Sequence, residues 1–232
     1  MSRRFLLAFV LVCTSFAWTA QPASAQQTFN VSLGYFTPRG QDARVAGDVL
    51  NANRNFLEFA VKDFNGASIG GEWLFPVGRY IEAGAGVSFT RKTVPTVYTR
   101  LLNANGSEIE QELRLRMVPA ALTFRVLPLS QDRGFQPYLG GGLGVISWRY
   151  SESGQFVDTR DNSIFNNSYV ASGTRTGPVA LGGIRFAGDS VATGFEIRYQ
   201  AAEADLAPPF AGTKLDLGGW SYLFTLGMRL AR

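Results

Sequence analysis

The 232-residue chain contains no histidine, and its one cysteine, Cys13, lies in an apolar N-terminal block. Imidazole acid–base chemistry is therefore excluded, and a chain without that block could form neither a disulfide nor a thiolate site. Charged residues make up only 17 % of the chain. Because no apolar run outside the N-terminus approaches the length of a membrane helix, any membrane signal must come from strands.

The N-terminal residues have the features of a secretory signal peptide. Arg3 and Arg4 precede the apolar block, and the small residues at 23–25 suit cleavage before Gln26. We predict a signal peptide at residues 1–25 and one domain at residues 26–232. Without the two N-terminal arginines the formal net charge of +4 falls by two, which is too small a bias to favour nucleic acid as a partner.

The segment 220–230 alternates between large apolar side chains and small or polar ones. Its roughly ten residues are enough for a tilted strand to cross a bilayer. Seven further segments carry similar alternation or a glycine-rich variant of it. The eight predicted strands are 28–35, 66–75, 80–92, 109–126, 136–150, 174–186, 191–200 and 220–230.

The connections between these segments alternate between long and short, the pattern of small outer-membrane barrels. We predict an all-β fold, an eight-stranded antiparallel up-and-down transmembrane β-barrel. The first long connection, 38–63, has room for a short helix within 48–61. In the fourth strand the apolar phase changes near Pro119, which predicts a β-bulge there.

The two faces of each strand differ in size as well as polarity, because the polar phases are mostly Gly, Ser, Thr and Ala with a few charges. We therefore predict that the polar phases line a narrow interior and the apolar phases face lipid. The opposite orientation would give a soluble barrel. The predicted interior polar network is Glu72, Glu82, Arg125, Arg185, Glu196, Arg198 and Arg229. The predicted lipid-facing residues are Phe29, Val31, Leu33, Trp73, Phe89, Phe195, Tyr199, Trp220, Tyr222 and Phe224.

Opposite charges in a narrow lumen are expected to pair, since an unpaired buried charge is costly. The pairs would then fill the barrel, and the alternative is a thin polar path through it. Aromatic residues are expected in two belts at the membrane interfaces, with Tyr138 in the inner belt and Trp148 and Tyr150 in the outer one. A basic group near the outer end either contacts anionic headgroups or is simply solvated; it comprises Arg91, Lys92, Arg100, Arg114 and Arg116.

Three stretches carry a resemblance to a known group of proteins. They are Pro-Tyr-Leu-Gly-Gly-Gly-Leu-Gly at 137–144, Gly-Phe-Glu-Ile-Arg-Tyr at 194–199, and the alternating C-terminal segment. Together they resemble the small outer-membrane β-barrel proteins of Gram-negative-type bacteria, the OmpW-like and OmpX-like group. The resemblance implies an outer-membrane location, with membrane lipid and the outer-membrane insertion machinery as partners.

The predicted function is non-enzymatic, a structural or surface-interaction role through the external loops. The OmpW-like resemblance implies an alternative, a conduit for small, mostly apolar molecules across the outer membrane. A second alternative is a soluble periplasmic barrel that carries an apolar ligand. We expect no cofactor, no metal and no nucleic acid, and a monomer is favoured.

Overall fold

The computed structural model describes residues 26–158 and 160–230, in which eight long antiparallel strands close into a barrel. Around the wall they run β1–β10–β7–β6–β5–β4–β3–β2, and β2 returns to β1. The strands are β1 (Gln27–Pro38), β2 (Gly66–Pro76), β3 (Ile81–Leu102), β4 (Glu108–Val126), β5 (Phe135–Val157), β6 (Ile164–Ala187), β7 (Val191–Gln200) and β10 (Gly219–Leu230); β8 (Glu203–Asp205) and β9 (Lys214–Asp216) form a separate ribbon. The predicted eight-stranded up-and-down barrel is confirmed.

The predicted signal peptide and the prediction that any membrane crossing is made by strands concern different parts of the chain. The predicted signal peptide, with Cys13, lies outside the described residues. Within residues 26–158 and 160–230, no helix is long and apolar enough to cross a membrane.

The eight strands differ twofold in length, and this divides the molecule into two regions. β1, β2, β7 and β10 have 10 to 12 residues, whereas β3, β4, β5 and β6 have 19 to 24. The region where all eight strands pair is called the barrel body. The outer extension is the four-stranded sheet that continues beyond it, formed by residues 91–102, 108–117, 146–157 and 164–178.

Much of the outer extension was predicted as loop. The sequence placed strand ends at residues 92, 150 and 174, but β3, β5 and β6 continue well past them and turn tightly at 103–107 and 158–163. Ser, Asn and Gly are frequent in these segments and conceal the strand pattern. The backbone ladder between β5 and β6 nevertheless runs unbroken from Phe135 opposite Phe186 to Val157 opposite Ile164.

The predicted bulge near Pro119 is wrong. The β4–β5 ladder keeps one register from Gln111 to Val126, and the β3–β4 register is the same on both sides of Pro119. What changes there is the polarity of the two faces. Leu115 and Met117 point inward and are buried, whereas Leu122 and Phe124 point outward and are exposed.

Two loops cover the free edges of the outer extension. Loop 1 (39–65) lies along β3, where Glu58 N donates to Val97 O at 2.9 Å and Thr99 N donates to Phe56 O at 3.0 Å. The final loop (201–218) lies along β6, where Ala201 N donates to Pro178 O at 3.1 Å. These contacts occupy backbone groups that an open sheet edge would leave unpaired.

Loop 1 contains less helix than the sequence predicted. The helix covers only Val49–Asn53 and begins at Asp48, whose carboxylate accepts a hydrogen bond from Asn51 N at 3.2 Å. Short 3₁₀ turns at Gln41–Ala43 and Val61–Phe64 complete the loop. The N-cap of Asp48 and the burial of Val49 fix the position of this helix over the barrel mouth.

The interior of the outer extension is an apolar core, here called the outer core, to which both loops contribute. Its buried members are Val49, Leu50, Leu57 and Phe64 of loop 1; Val94, Leu113, Leu115, Met117, Ile146, Trp148 and Tyr150 of the sheet; Ala204, Leu215 and Leu217 of the final loop; and Phe36. A buried ion pair within loop 1 also holds the final loop: Arg44 Nε donates to Asp48 Oδ2 at 2.6 Å, and Asp216 N of the final loop donates to Asp48 Oδ1 at 2.8 Å. The loops therefore close the outer mouth of the barrel.

Candidate functional site

The interior of the barrel body holds a cluster of two arginines and two glutamates from three strands, β2, β4 and β7. Arg125 Nη2 donates to a carboxylate oxygen of Glu72 and to Glu196 Oε2, the latter at 2.7 Å. Arg198 joins the same two carboxylates, at 2.9 Å to Glu196 Oε1 and 3.1 Å to Glu72 Oε1. The Tyr138 hydroxyl donates to Glu196 Oε2 at 3.0 Å. These cross-barrel bonds fill the lumen with fixed, balanced charge.

A second ion pair lies nearer the end of the barrel where β2 turns into β3. Arg185 donates to Glu82 through both terminal nitrogens, at 3.1 and 2.6 Å, and its Nε donates to Gln136 Oε1 at 2.7 Å. Six of the seven residues predicted for the interior network thus lie in two charge clusters. Gln136 and Tyr138 belong to the same clusters and were not predicted, because the glycines at 140–142 hide the phase of β5.

Arg229 is the exception among the predicted network residues. Its Nη1 donates to the backbone oxygen of Gly188 at 2.6 Å, in the tight turn between β6 and β7. Within the described part of the chain, no carboxylate lies within salt-bridge distance of Arg229. Arg229 has the inward phase of β10, but at the barrel rim its side chain reaches the turn instead of the lumen.

The lumen is closed above the charge clusters as well. Between them and the outer core lies an enclosed cavity of about 30 Å³, lined by Ser68, Ser88, Thr90, Ala121 and Ile146 among others. Such a space holds one or two water molecules. Arg125 and Glu196 are each 1 % exposed, and Leu50 and Tyr150 are fully buried. The charge clusters and the outer core are therefore two successive closures of one lumen.

The exterior of the barrel body is a continuous apolar surface. Leu139, Leu143 and Leu122 are 72 %, 71 % and 67 % exposed. The residues predicted to face lipid lie on this exterior: Phe29, Val31, Leu33, Trp73, Phe89, Phe195, Tyr199, Trp220, Tyr222 and Phe224. Tyr199 is partly covered, because Arg39 Nε donates to its hydroxyl at 2.8 Å.

Three aromatic residues assigned to the interfacial belts point inward instead. Tyr138 contacts the charge cluster, while Trp148 and Tyr150 belong to the outer core. All three share the inward phase of β5 with Gln136 and Glu152. Size and polarity alone could not separate a belt aromatic from a core aromatic, since both interfaces and cores accept Trp and Tyr.

At the tip of the outer extension a cleft of about 580 Å³ opens between the sheet and the two loops. Its walls include the aromatic residues Phe56, Tyr98, Phe156 and Tyr169, and its polar lining includes Asn53, Gln111 and Glu152. Within the described residues, the buried oxygens Asn53 Oδ1 and Gln111 Oε1 accept no hydrogen bond. Aromatic walls with a few convergent polar groups are typical of small-molecule sites.

Glu152 is the buried acid of this cleft. It accepts hydrogen bonds from Asn53 Nδ2 at 2.6 Å and from the Tyr150 hydroxyl at 2.8 Å. Burial raises the pKa of Glu152 above its ordinary value, although both hydrogen bonds act in the opposite direction. Burial and the adjacent carboxylate raise the pKa of Tyr150 well above its usual range, so that hydroxyl stays protonated and donates.

These groups suit structure and binding better than catalysis. Glu72, Glu82 and Glu196 each accept charged hydrogen bonds from at least one arginine, so their carboxylate oxygens are engaged in structural ion pairs. Glu152 lines the cleft at the tip and has no arginine partner within the described residues.

No family model matches the chain, and no curated protein matches it significantly. Among solved structures, the outer-membrane protein OprG from Pseudomonas aeruginosa matches with a TM-score of 0.53 and 12 % identity, over 90 % of this chain and 97 % of that chain. Neisserial surface protein A matches with a TM-score of 0.46 and 11 % identity, over 90 % and 100 %. The likeness to OprG concerns the fold alone at this identity. The chain has the fold of the small outer-membrane β-barrels, as the sequence resemblance predicted.

Proposed function

We propose that the protein is a monomeric outer-membrane barrel that conducts no solute, catalyses no reaction and acts at the cell surface through its outer extension and loops. The observation that carries the proposal is the double closure of the lumen below a long outer end that two loops pack against. The charge clusters fill the barrel body, and the outer core fills its mouth.

The membrane location is supported by the exterior of the barrel body. Along β4, the outward apolar side chains run from Val126 to Val118. Eight residues of strand rise about 27 Å, or about 21 Å at a tilt near 40°, which approaches the ~25 Å apolar band of outer-membrane barrels. Beyond Val118 the exterior becomes charged, beginning with Arg116. An apolar band of this height, bounded by charge, needs lipid around it.

The surface role is supported by the outer extension. Four strands continue as a sheet far beyond the apolar band, and two loops pack on it through a buried core. A rigid platform of this kind presents its tip residues in fixed positions. The aromatic cleft at the tip supplies a concave surface for a ligand or partner.

The two alternative functions fit the geometry less well. A conduit needs a path, whereas the cavity inside the barrel has a volume of about 30 Å³ and the residues around it are tightly packed. A soluble carrier needs an apolar interior and a wettable exterior, but the barrel body has a charged interior and an apolar exterior. A small apolar ligand could still occupy the cleft at the tip without passing through the barrel.

Single cysteines provide a test of location and orientation, because the chain has no cysteine beyond Cys13. Ala104→Cys lies in the exposed turn between β3 and β4, and Asp189→Cys lies in the exposed turn between β6 and β7 at the opposite end. On intact cells a membrane-impermeant maleimide should label Ala104→Cys and spare Asp189→Cys. Permeabilised cells should label both. Equal protection of both cysteines on intact cells would support the soluble periplasmic carrier.

Liposome flux tests the closed lumen. Purified protein reconstituted in liposomes should leave the efflux of arabinose and of indole at the rate of protein-free liposomes, with a general porin as the positive control. Flux of indole above that background would overturn the non-conducting role and favour the conduit. Heat-modifiable migration in a detergent gel verifies that the reconstituted barrel is folded.

A further inference from the structure

Three arginines stand side by side on the exterior of the outer extension. In the strand register Arg91 of β3 lies opposite Arg116 of β4, and Arg116 lies opposite Arg149 of β5. We call these three residues the arginine row. Arg114, two residues further out on the same face of β4, lies beside it. The sequence grouped Arg91, Arg114 and Arg116 but missed Arg149, since the register of β5 was unassigned.

The arginine row is electrostatically unfavourable without a partner. Directly opposite residues of antiparallel strands have Cβ atoms only about 4.5–5.5 Å apart, and like charges there destabilise the pair. Within the described residues, no carboxylate oxygen lies within 4.0 Å of the guanidinium nitrogens of Arg91, Arg116 or Arg149. Arg114 alone has an acidic neighbour, Glu112 at 3.4 Å, and both side chains are exposed. Such a concentration of unneutralised charge calls for an external anion.

The four arginines line a concave site. It has a volume of about 250 Å³, and its other lining residues are Ser151, Ser153, Ser168 and Val170. The guanidinium groups supply forked, permanently charged donors that suit phosphate oxygens, and the serine hydroxyls supply additional donors. The site is thus large enough for a phosphate group and rich in the donors that phosphate accepts.

The position of the site decides the source of the phosphate. Arg116 lies ten positions from Val126, where the apolar exterior of β4 begins. Ten residues of strand rise about 34 Å, or about 26 Å at a tilt near 40°, which is close to the ~25 Å apolar band of outer-membrane barrels. The arginine row therefore stands at the level where the lipid headgroups of the outer leaflet begin.

The opposite side of the barrel has a different composition at the corresponding end. There β1, β7 and β10 present Tyr35, Tyr199, Trp220 and Tyr222. The arginine beside them, Arg39, is already paired with Asp216 at 3.2 Å. Aromatic side chains suit the headgroup boundary without selecting charge. Among the described residues at this level, the arginines without a carboxylate partner thus lie on the β3–β5 side rather than beside these aromatic residues.

We propose that the arginine row, with Arg114 at its edge, binds the phosphate groups of anionic lipid headgroups in the leaflet around the outer end. The inference rests on the proposed outer-membrane location. Two other predicted basic residues do not belong to the site. Lys92 has the opposite phase to Arg91, and Arg100 lies nine positions further along β3, about 30 Å at 3.3 Å per residue.

Lipid titration of the purified full chain, followed by native mass spectrometry in detergent, tests the proposal. The variant R91Q/R116Q/R149Q removes the row, and R79Q/R133Q/R160Q removes three exposed arginines elsewhere as the matched control. Phosphatidic acid should bind the wild type and the control alike. The row variant should lose roughly 100-fold in affinity, about fivefold for each arginine. Phosphatidylcholine, whose phosphate is masked by choline, should bind all three proteins weakly.

Three results separate the ways in which the proposal could fail. Equal phosphatidic acid binding by all three proteins would overturn the arginine row as the site. Competition by inorganic phosphate at the same concentration as the lipid would overturn a lipid headgroup as the source. Heat-modifiable migration is measured on every sample: a wild type that never enters membranes refutes the proposed location, whereas a folded, membrane-inserted row variant with unchanged lipid binding refutes only this inference.

Discussion

The barrel body and the outer extension share four strands, yet they are inverted copies of each other in polarity. In the barrel body, β4 points Thr123 and Arg125 inward and Leu122 and Phe124 outward. In the outer extension, the same strand points Leu113 and Leu115 inward and Arg114 and Arg116 outward. The backbone register does not change between them. The two regions of this strand therefore differ in which face carries the apolar side chains, and not in backbone pairing.

The comparison also explains how one wall supports two kinds of interior. In the proposed outer-membrane location, lipid solvates the apolar exterior of the barrel body, so its narrow interior can be filled with paired charges. The outer extension projects into water and gains stability from burying an apolar core, for which four strands are insufficient. Loop 1 and the final loop supply the missing side of that core, including Leu50 and Leu215.

The largest expected effect comes from breaking the charge cluster of the barrel body. Arg125→Met should destabilise the folded barrel by about 3–5 kcal/mol, because Glu72 and Glu196 lose one of the two cations they share, and the two buried carboxylates then face Arg198 alone. Urea titration of heat-modifiable migration in micelles measures the change. The control is Arg229→Met, which removes one hydrogen bond to a backbone oxygen at the rim and should shift the midpoint little. Equal shifts for the two variants would show that the cluster is not what stabilises the interior.

A charge placed on the exterior distinguishes the two regions. Phe224→Arg puts a cation on the 56 %-exposed exterior of β10, where it costs about 2–4 kcal/mol near the bilayer midplane and should block insertion. Thr174→Arg puts the same charge on the exterior of β6 in the outer extension and should insert normally. Pulse-labelled cells followed by membrane extraction and unboiled gels measure the inserted fraction. Normal assembly of Phe224→Arg would refute the proposed lipid-facing surface.

The fold of the barrel body was predictable because its strands alternate between apolar outward positions and small or polar inward positions, as a lipid-facing barrel wall requires. Residues 220–230 and 191–200 gave the correct strands, and the small size of the polar phase gave the interior. The bulge predicted near Pro119 is absent because the apolar face of β4 changes sides there without a change of register. A phase change without a turn signal is better interpreted as the membrane boundary.

The outer end was less predictable because its contacts are long-range. Asn53 meets Tyr150 and Glu152 across about a hundred residues of chain, and Asp48 meets Asp216 across 168. No local pattern reports such pairings. The glycines of β5 obscure which of its residues point inward. For this reason the sequence did not show that Tyr138 and Glu152 point inward and that Arg149 points outward. Once the register of β5 with its neighbours is known, the direction in which each of these side chains points follows from it.

The smallest predicted effect concerns pH and the buried acid of the outer extension. The pKa of Glu152 is raised in the folded protein, so the closed outer end is favoured when this group is protonated and loses that advantage as pH rises through the raised pKa. Glu152→Gln keeps acceptors for Asn53 and Tyr150 without the charge. The variant should therefore strengthen the closed state of loop 1 at neutral pH, and the gain should shrink as pH falls towards the ordinary pKa of glutamate.

Hydrogen exchange of the backbone amides at 50–57, corrected for the intrinsic pH dependence, measures this closed state. Taking the difference between variant and wild type separates the contribution of residue 152 from those of the other buried acids of the outer end, among them Asp48 and Asp216 of the two loops. Glu112→Gln serves as the control, because that carboxylate lies on the exterior of the same sheet and is solvated. Slower exchange in Glu152→Gln at pH 7, equal exchange at low pH and no change in Glu112→Gln are expected. A difference that persists at low pH would mean that the amide itself, not the removed charge, stabilises the outer core. The buried acid of the outer extension would then make no pH-dependent contribution, and the outer extension would differ from the barrel body in packing alone.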